Sequence, residues 1–144
     1  MISFIFSFPI WLRKTIGLVY LLMIALLSLM PVDVLPDFTV NKGIDKVIHV
    51  GMYLGLALVA GWSFNITRKR MKPVFYLLAG VFMWGVLMEI LQRTMHNGRN
   101  FDFRDMVANL SGAIIGLLIF RHLDKMRETL KDRNETIVMK YPPQ

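Results

Sequence analysis

Four long apolar stretches dominate the chain, and each is separated from the next by a short cluster of charged or turn-forming residues. A helix needs about 20 mostly apolar residues to cross a hydrocarbon core about 30 Å thick. By that measure the pattern predicts spans at about 15–30, 46–66, 73–91 and 105–120. Pro31 stops the first, and Pro73 suits the first turn of the third. The fourth has a short apolar part, so its polar start is expected inside the bilayer edge. The fold class expected is an all-α membrane protein, an antiparallel bundle of four transmembrane helices. Residues 1–120 would form the transmembrane domain and 121–144 a charged cytoplasmic tail. Residues 1–11 are apolar and aromatic but too short to span, and a position in the interface plane suits them. Arg13 and Lys14 ahead of an apolar stretch look like the start of a signal peptide. However, Ser28-Leu29-Met30-Pro31 offers no small-residue cleavage pattern, so an uncleaved first helix is expected.

Composition supports this picture: 55% of the 144 residues are hydrophobic and 19% charged, an apolar balance for a soluble domain. The net charge of +7 does not point to nucleic acid, because the basic residues sit between apolar runs, where they orient spans. Twelve lysines and arginines fall before the first span, between the second and third, and after the fourth; five fall on the other side. That bias predicts a cytoplasmic N- and C-terminus. Asp33, Asp37, Asp45, Glu89, Asp102 and Asp105 all lie on the opposite, extracytoplasmic side. The absence of cysteine excludes disulfides and thiolate chemistry. Two Asn-x-Thr triplets, at Asn65 and Asn134, fall on the inner side and are assigned no role. The tail over 121–139 alternates in charge, with Leu123, Met126 and Leu130 at helical spacing. It reads as a solvated juxtamembrane helix, with a docking helix for a partner as the sharper alternative.

Antiparallel threading gathers the end of the first span, the start of the second, the end of the third and the start of the fourth. Nearly every ionisable residue that intrudes on a span lies there. Asp45, His49 and Tyr53 share a helix face. Glu89 interrupts an apolar run, with Gln92 and Arg93 one turn on. Asp102, Asp105 and Asn109 share another face, which Gly112 and Gly116 continue. Gly51 and Gly55 form a small-xxx-small pair that permits close helix contact. At 1.5 Å per residue, Glu89 is about 25 Å from Lys72 and Asp105 about 24 Å from Arg121. Both carboxylates therefore lie at one depth, just beneath the outer surface. A charge at mid-bilayer costs about 2.5–3.5 kcal/mol, so both should face the bundle interior. Arg93, Arg99 and Arg104 are the cations within reach, and His49 is the titrating group.

His49, Glu89, Asp45 and Asp105 are the candidates for general acid–base chemistry. The plainer reading is a hydrogen-bond knot between helices. Arg99, Asp102, Asn109 and Gln92 are candidate ligand-binding residues. Arg99 and Arg104 suit a lipid phosphate, and salt bridges to Asp102 and Asp105 suit them as well. Asp45, His49, Glu89 and Asp105 offer a conceivable metal set, but Asp-x-x-x-His is a common spacing, so no metal or other cofactor is expected. Tyr53, Trp62 and Trp84 read as packing or interface anchors, and Asn109 as helix glue before catalyst.

The series Ser28-x-x-Pro31, Asp45-Lys46-x-x-His49-x-x-x-Tyr53, Glu89-x-x-Gln92 and Arg99-x-x-Asp102-x-x-Asp105-x-x-x-Asn109-x-x-Gly112-x-x-x-Gly116 resembles the VanZ-like family of small bacterial membrane proteins. The resemblance covers about 28–116. It implies a multi-pass protein of the bacterial plasma membrane and, through the family's namesake, a role in glycopeptide antibiotic resistance. It implies no particular reaction. Three functions stay open at this point. One is a membrane protein of the cell envelope whose polar site engages membrane lipids or a lipid-linked cell-wall precursor. Another is a membrane-embedded enzyme acting on a phosphate-bearing lipid. The third is a structural or assembly protein whose cluster only holds the bundle together. Oligomeric state is open too, because glycine pairs suit contacts within or between chains.

Overall fold

The computed structural model describes residues 2–31, 42–66, 70–95 and 102–140. These form five helices: α1 (Ile2–Ser7), α2 (Ile10–Leu29), α3 (Lys42–Ser63), α4 (Met71–Thr94) and α5 (Phe103–Lys140). The last four are each long and apolar enough to cross a membrane. The protein is a multi-pass membrane protein, as the apolar pattern predicts.

Helix ends follow from local chemistry. Pro9 precedes α2 at φ −62°, ψ 148°. Met30 leaves the helix in the extended conformation that a following proline imposes. Pro73 stands in the first turn of α4, where its missing N–H has no helical partner to lose. At the end of α3, Asn65 takes φ 50°. Its amide donates to the Trp62 carbonyl at 3.2 Å and the Ile66 amide to the Gly61 carbonyl at 3.0 Å. These two bonds close the helix with a left-handed residue, a position asparagine tolerates. Asn65 thus serves as a helix stop.

The first span starts earlier than its charges suggest. α2 begins at Ile10 rather than near residue 15, because Arg13 turns inward instead of marking the edge. Arg13 is buried, and its Nη1 donates to the Trp62 carbonyl at 3.2 Å. A cation at the C-terminal end of α3 complements the helix dipole. Ser63 Oγ returns a bond to the Arg13 carbonyl at 2.8 Å. Arg13→Met is expected to lower stability by about 1–2 kcal/mol, readable as a lower thermal midpoint in detergent.

The helices alternate in direction, so α3 and α5 both start at the acidic end of the bundle and run to the basic end. Their backbones approach most closely among the described helices: a Cβ at Gly112 would fall on the Val50 backbone carbonyl, and one at Gly116 on that of Leu54. Here the sequence expectation is corrected. Gly51 has no atom within 4 Å of where its Cβ would stand, and Gly55 faces the Tyr20 side chain. The close approach belongs to the glycines of α5, not to the Gly51–Gly55 pair. Small residues let backbones approach in a bilayer, where packing contacts replace the hydrophobic drive between helices. The outward faces carry Leu18, Leu22 and Leu26 on α2 and Phe75, Met83 and Leu87 on α4, all exposed as lipid-facing residues should be.

α5 runs unbroken through 38 residues, about 57 Å at helical rise, far more than the bilayer needs. Its extension begins as a docked element: Asp124 is fully buried and pairs with Arg127 at 2.8 Å. The Arg127 guanidinium lies 4.2 Å from the Phe6 ring centroid of α1. Beyond that turn, residues 129–140 are exposed. An apolar cleft of about 540 Å³ lies between α2, α3 and α4, lined among others by Leu21, Leu56, Ala60, Gly80 and Trp84.

Candidate functional site

The acidic end is built by three helix ends. The opening turns of α3 carry Asp45, Lys46, His49 and Tyr53 inward at steps of three and four. The closing turns of α4 present Glu89 and Gln92. The opening of α5 presents Asp102, Asp105 and Asn109. Asp102 caps α5, with its Oδ1 accepting the Arg104 backbone amide at 2.8 Å. That bond, joined by the Lys46 ammonium, holds its carboxyl below the usual carboxylate range.

Lys46 is the centre of the cluster. Its Nζ donates to Asp45 Oδ2 at 3.3 Å, to Asp102 Oδ2 at 3.0 Å and to Asp105 Oδ1. Sequence reasoning assigned this role to Arg93, Arg99 or Arg104. Arg93 and Arg104 are exposed, and Arg99 lies outside the described residues. The overlooked signal was register: Lys46 is three residues before His49 and so shares its inward face. A lysine stem can lie along apolar surface while its ammonium reaches a polar end.

His49 is buried, and its Nδ1 lies 2.9 Å from Asn109 Oδ1. A carbonyl oxygen only accepts, so Nδ1 donates and Nε2 is left to face away from Asn109. Nε2 faces Asp45 Oδ1 at 3.8 Å, beyond hydrogen-bond length. Gln92, buried as well, donates to the Ser28 carbonyl at 2.8 Å and so ties α4 to α2 rather than reaching the cluster with its nitrogen.

Glu89 has no exposed surface, and neither of its carboxylate oxygens has a hydrogen-bond partner among the described residues. The Asp102 backbone amide faces it without meeting hydrogen-bond geometry. Asp105, Lys46 and Asp102 are its charged neighbours. Tyr53, 1% exposed, faces Glu89 from α3, and its hydroxyl is also unpartnered among the described residues. The same holds for Asn109 Nδ2. Gly85 of α4 explains how these groups meet. A Cβ there would stand 3.2 Å from Asn109 Nδ2 and 3.4 Å from the Tyr53 hydroxyl. Tyr53, taken from the sequence as a packing anchor, is therefore part of the site's wall.

The structure thus brings together Asp45, His49, Glu89, Asp102, Asp105 and Asn109, with four carboxylates facing one ammonium. Four buried polar atoms, on Glu89, Tyr53 and Asn109, point into the junction of α3, α4 and α5. Leaving such an atom unsatisfied costs about 1–3 kcal/mol, which a folded protein sustains where a bound group satisfies it. Asp45 and Asp102, with side chains 25% and 39% exposed, form the mouth.

A model of the VanZ/LLP1 family matches residues 1–124, which takes in every described site residue and the buried Asp124. An uncharacterized protein of the fission yeast Schizosaccharomyces pombe is 38% identical over 88 residues, 58% of this chain and 53% of that protein. The chain therefore spans about half the length of that relative. No solved structure matches the chain.

Proposed function

The chain belongs to the VanZ/LLP1 family, and from that premise we propose that its acidic end holds the polar end of a membrane amphiphile, a lipid or a lipid-linked molecule. The observation that carries this reading is the set of unpartnered buried atoms on Glu89, Tyr53 and Asn109. They offer acceptors and donors to one group entering between three helices. The apolar cleft supports it. Trp84, one residue before Gly85, lines the cleft nearest the acidic end, and Phe64, Pro73 and Tyr76 carry it toward the basic end, the direction a hydrocarbon chain would take from a headgroup held at the site. With the carboxylates of Asp45, Glu89, Asp102 and Asp105 gathered around the Lys46 ammonium and Arg104 acting only on Asp102 from outside, a headgroup bearing hydroxyls or an amine suits the site better than a bare phosphate. The excess of basic residues at the other end of the bundle supports a reading in which the acidic end is extracytoplasmic and both termini lie in the cytoplasm. In a bacterial host this reading extends to a lipid-linked cell-wall component in the plasma membrane, and so to glycopeptide resistance.

A structural role is the second reading, favoured by three ties between helices: Lys46 to Asp102 and Asp105, His49 to Asn109, and Gln92 to Ser28. Glu89→Gln separates the two. It keeps the shape of the side chain and removes the ionisable group, so folded yield should hold. Lipid copurifying with the protein, measured by mass spectrometry, should fall tenfold or more. Loss of folded yield with unchanged lipid would instead make the cluster a structural knot.

A further inference from the structure

We propose that Asp45, His49 and Asp105 form a binding site for one divalent cation of the zinc or manganese class, at the place the Lys46 ammonium holds. One ligand atom from each of these three residues lies within 4.8 Å of the other two. The atoms come from α3 and α5, the helix pair locked by Gly112 and Gly116, so the site stands on a rigid frame.

The geometry suits a metal. His49 Nδ1 is engaged by Asn109 Oδ1 at 2.9 Å, which leaves Nε2 as the nitrogen that faces Asp45 Oδ1 at 3.8 Å. That gap is too long for a hydrogen bond. A metal bound at about 2.0–2.2 Å to each would span it. A ligating histidine ordinarily donates its other ring N–H to a carbonyl or carboxylate, and Asn109 already fills that place.

Glu89 provides the independent observation. Its carboxylate is fully buried and unpartnered, and it faces Asp105 and Lys46. Within the cluster itself the carboxylates share the Lys46 ammonium, with Arg104 acting on Asp102 from outside, and a divalent cation would add positive charge among them. Glu89 stands beside the three ligand residues as a neighbour of Asp105, outside the group whose atoms lie within 4.8 Å of one another. One imidazole with carboxylate oxygens is the donor chemistry of zinc and manganese sites. Lys46 is then the built-in competitor. It has a flexible stem and is a quarter exposed, so its ammonium can swing to the mouth between Asp45 and Asp102 when the metal enters.

The test uses the full chain, purified in detergent without a polyhistidine tag and stripped with a chelator. It is dialysed against Zn²⁺ or Mn²⁺ and measured for metal content and thermal midpoint. One tightly held equivalent and a raised midpoint are expected. Asp105→Asn and His49→Ala should weaken binding at least tenfold, and Asn109→Ala by 10–100-fold through the lost orienting bond. Lys46→Met should bind at least tenfold more tightly and regain with metal the midpoint it loses without it. If His49→Ala does not fold, Asp45→Asn at the exposed mouth takes its place. No stoichiometric metal on the wild-type protein, equal binding by the ligand variants, or a Lys46→Met variant that binds no more tightly would each overturn the proposal. None of these readouts involves lipid, so the amphiphile reading and the metal reading fail separately.

Discussion

Gly112→Leu is expected to abolish most folded protein, and Gly116→Leu to do nearly the same. A Cβ at either position falls on a backbone carbonyl of α3, at Val50 and Leu54. A flexible side chain can yield to a new methyl group, but the carbonyl of a hydrogen-bonded helix cannot. Overpacking ordinarily costs about 1–3 kcal/mol and occasionally more. Here the whole helix must move, so a cost of about 3 kcal/mol or more is expected, with Gly112→Ala milder than Gly112→Leu. Moving α5 also separates Asp105 and Asn109 from Lys46 and His49, so the site is lost with the packing. Gly51→Ala is the contrasting control. It meets open space and should stabilise by about 0.5–1 kcal/mol, as removal of a helical glycine does. Monodisperse yield and thermal midpoint by size-exclusion chromatography read both. A Gly51→Ala defect as large as that of Gly112→Ala would mean that the glycine faces are misassigned.

Lys46→Met is expected to be the most damaging substitution at the acidic end itself. It removes the ammonium shared by Asp45, Asp102 and Asp105 and leaves three carboxylates facing one another beside Glu89. Removing one partner of a buried pair costs about 3–5 kcal/mol. Lys46 is 24% exposed and Asp102 39%, so water screens part of the repulsion and about 2–3 kcal/mol is expected here. Lys46→Arg should recover only part of this, because a planar guanidinium cannot place three donors as an ammonium does. Asp105→Asn should cost less in the Lys46→Met background than in the wild type, since the repulsion it relieves exists only there. A double-mutant cycle on thermal stability measures that coupling. Additive effects would show that Lys46 and Asp105 do not depend on each other.

Much of the site was readable in advance because helical spacing is a local property. Asp45 and His49 had to share a face, as did Asp102, Asp105 and Asn109, and alternating spans had to bring those faces to one end. The centre of the cluster was not readable. Which cation serves the carboxylates depends on how α3 is rotated against α5, and spacing along one helix says nothing of that rotation. Lys46 was therefore counted as a surface charge while the arginines were favoured. Tyr53 is the packing residue its sequence position suggests, and its further place at the site depends on helix packing in the same way. Its hydroxyl reaches the site only because Gly85 on another helix leaves room, and a gap in one helix is invisible from the sequence of its neighbour.

The sequence by itself determined four spans, their alternating direction and the gathering of acidic residues at one end. Those properties follow from the thickness of a bilayer and the 3.6-residue helical repeat. It also carried the family, through motifs whose order survives in a single chain. Only the tertiary structure decided that Gly112 and Gly116, not Gly51 and Gly55, set the closest helix contact. The same holds for Arg13 turning inward to cap α3 and for Glu89 standing buried without a hydrogen bond. Each of these depends on helix rotation and on the distance between backbones. Both are fixed by packing among elements far apart in the chain, which no local pattern encodes.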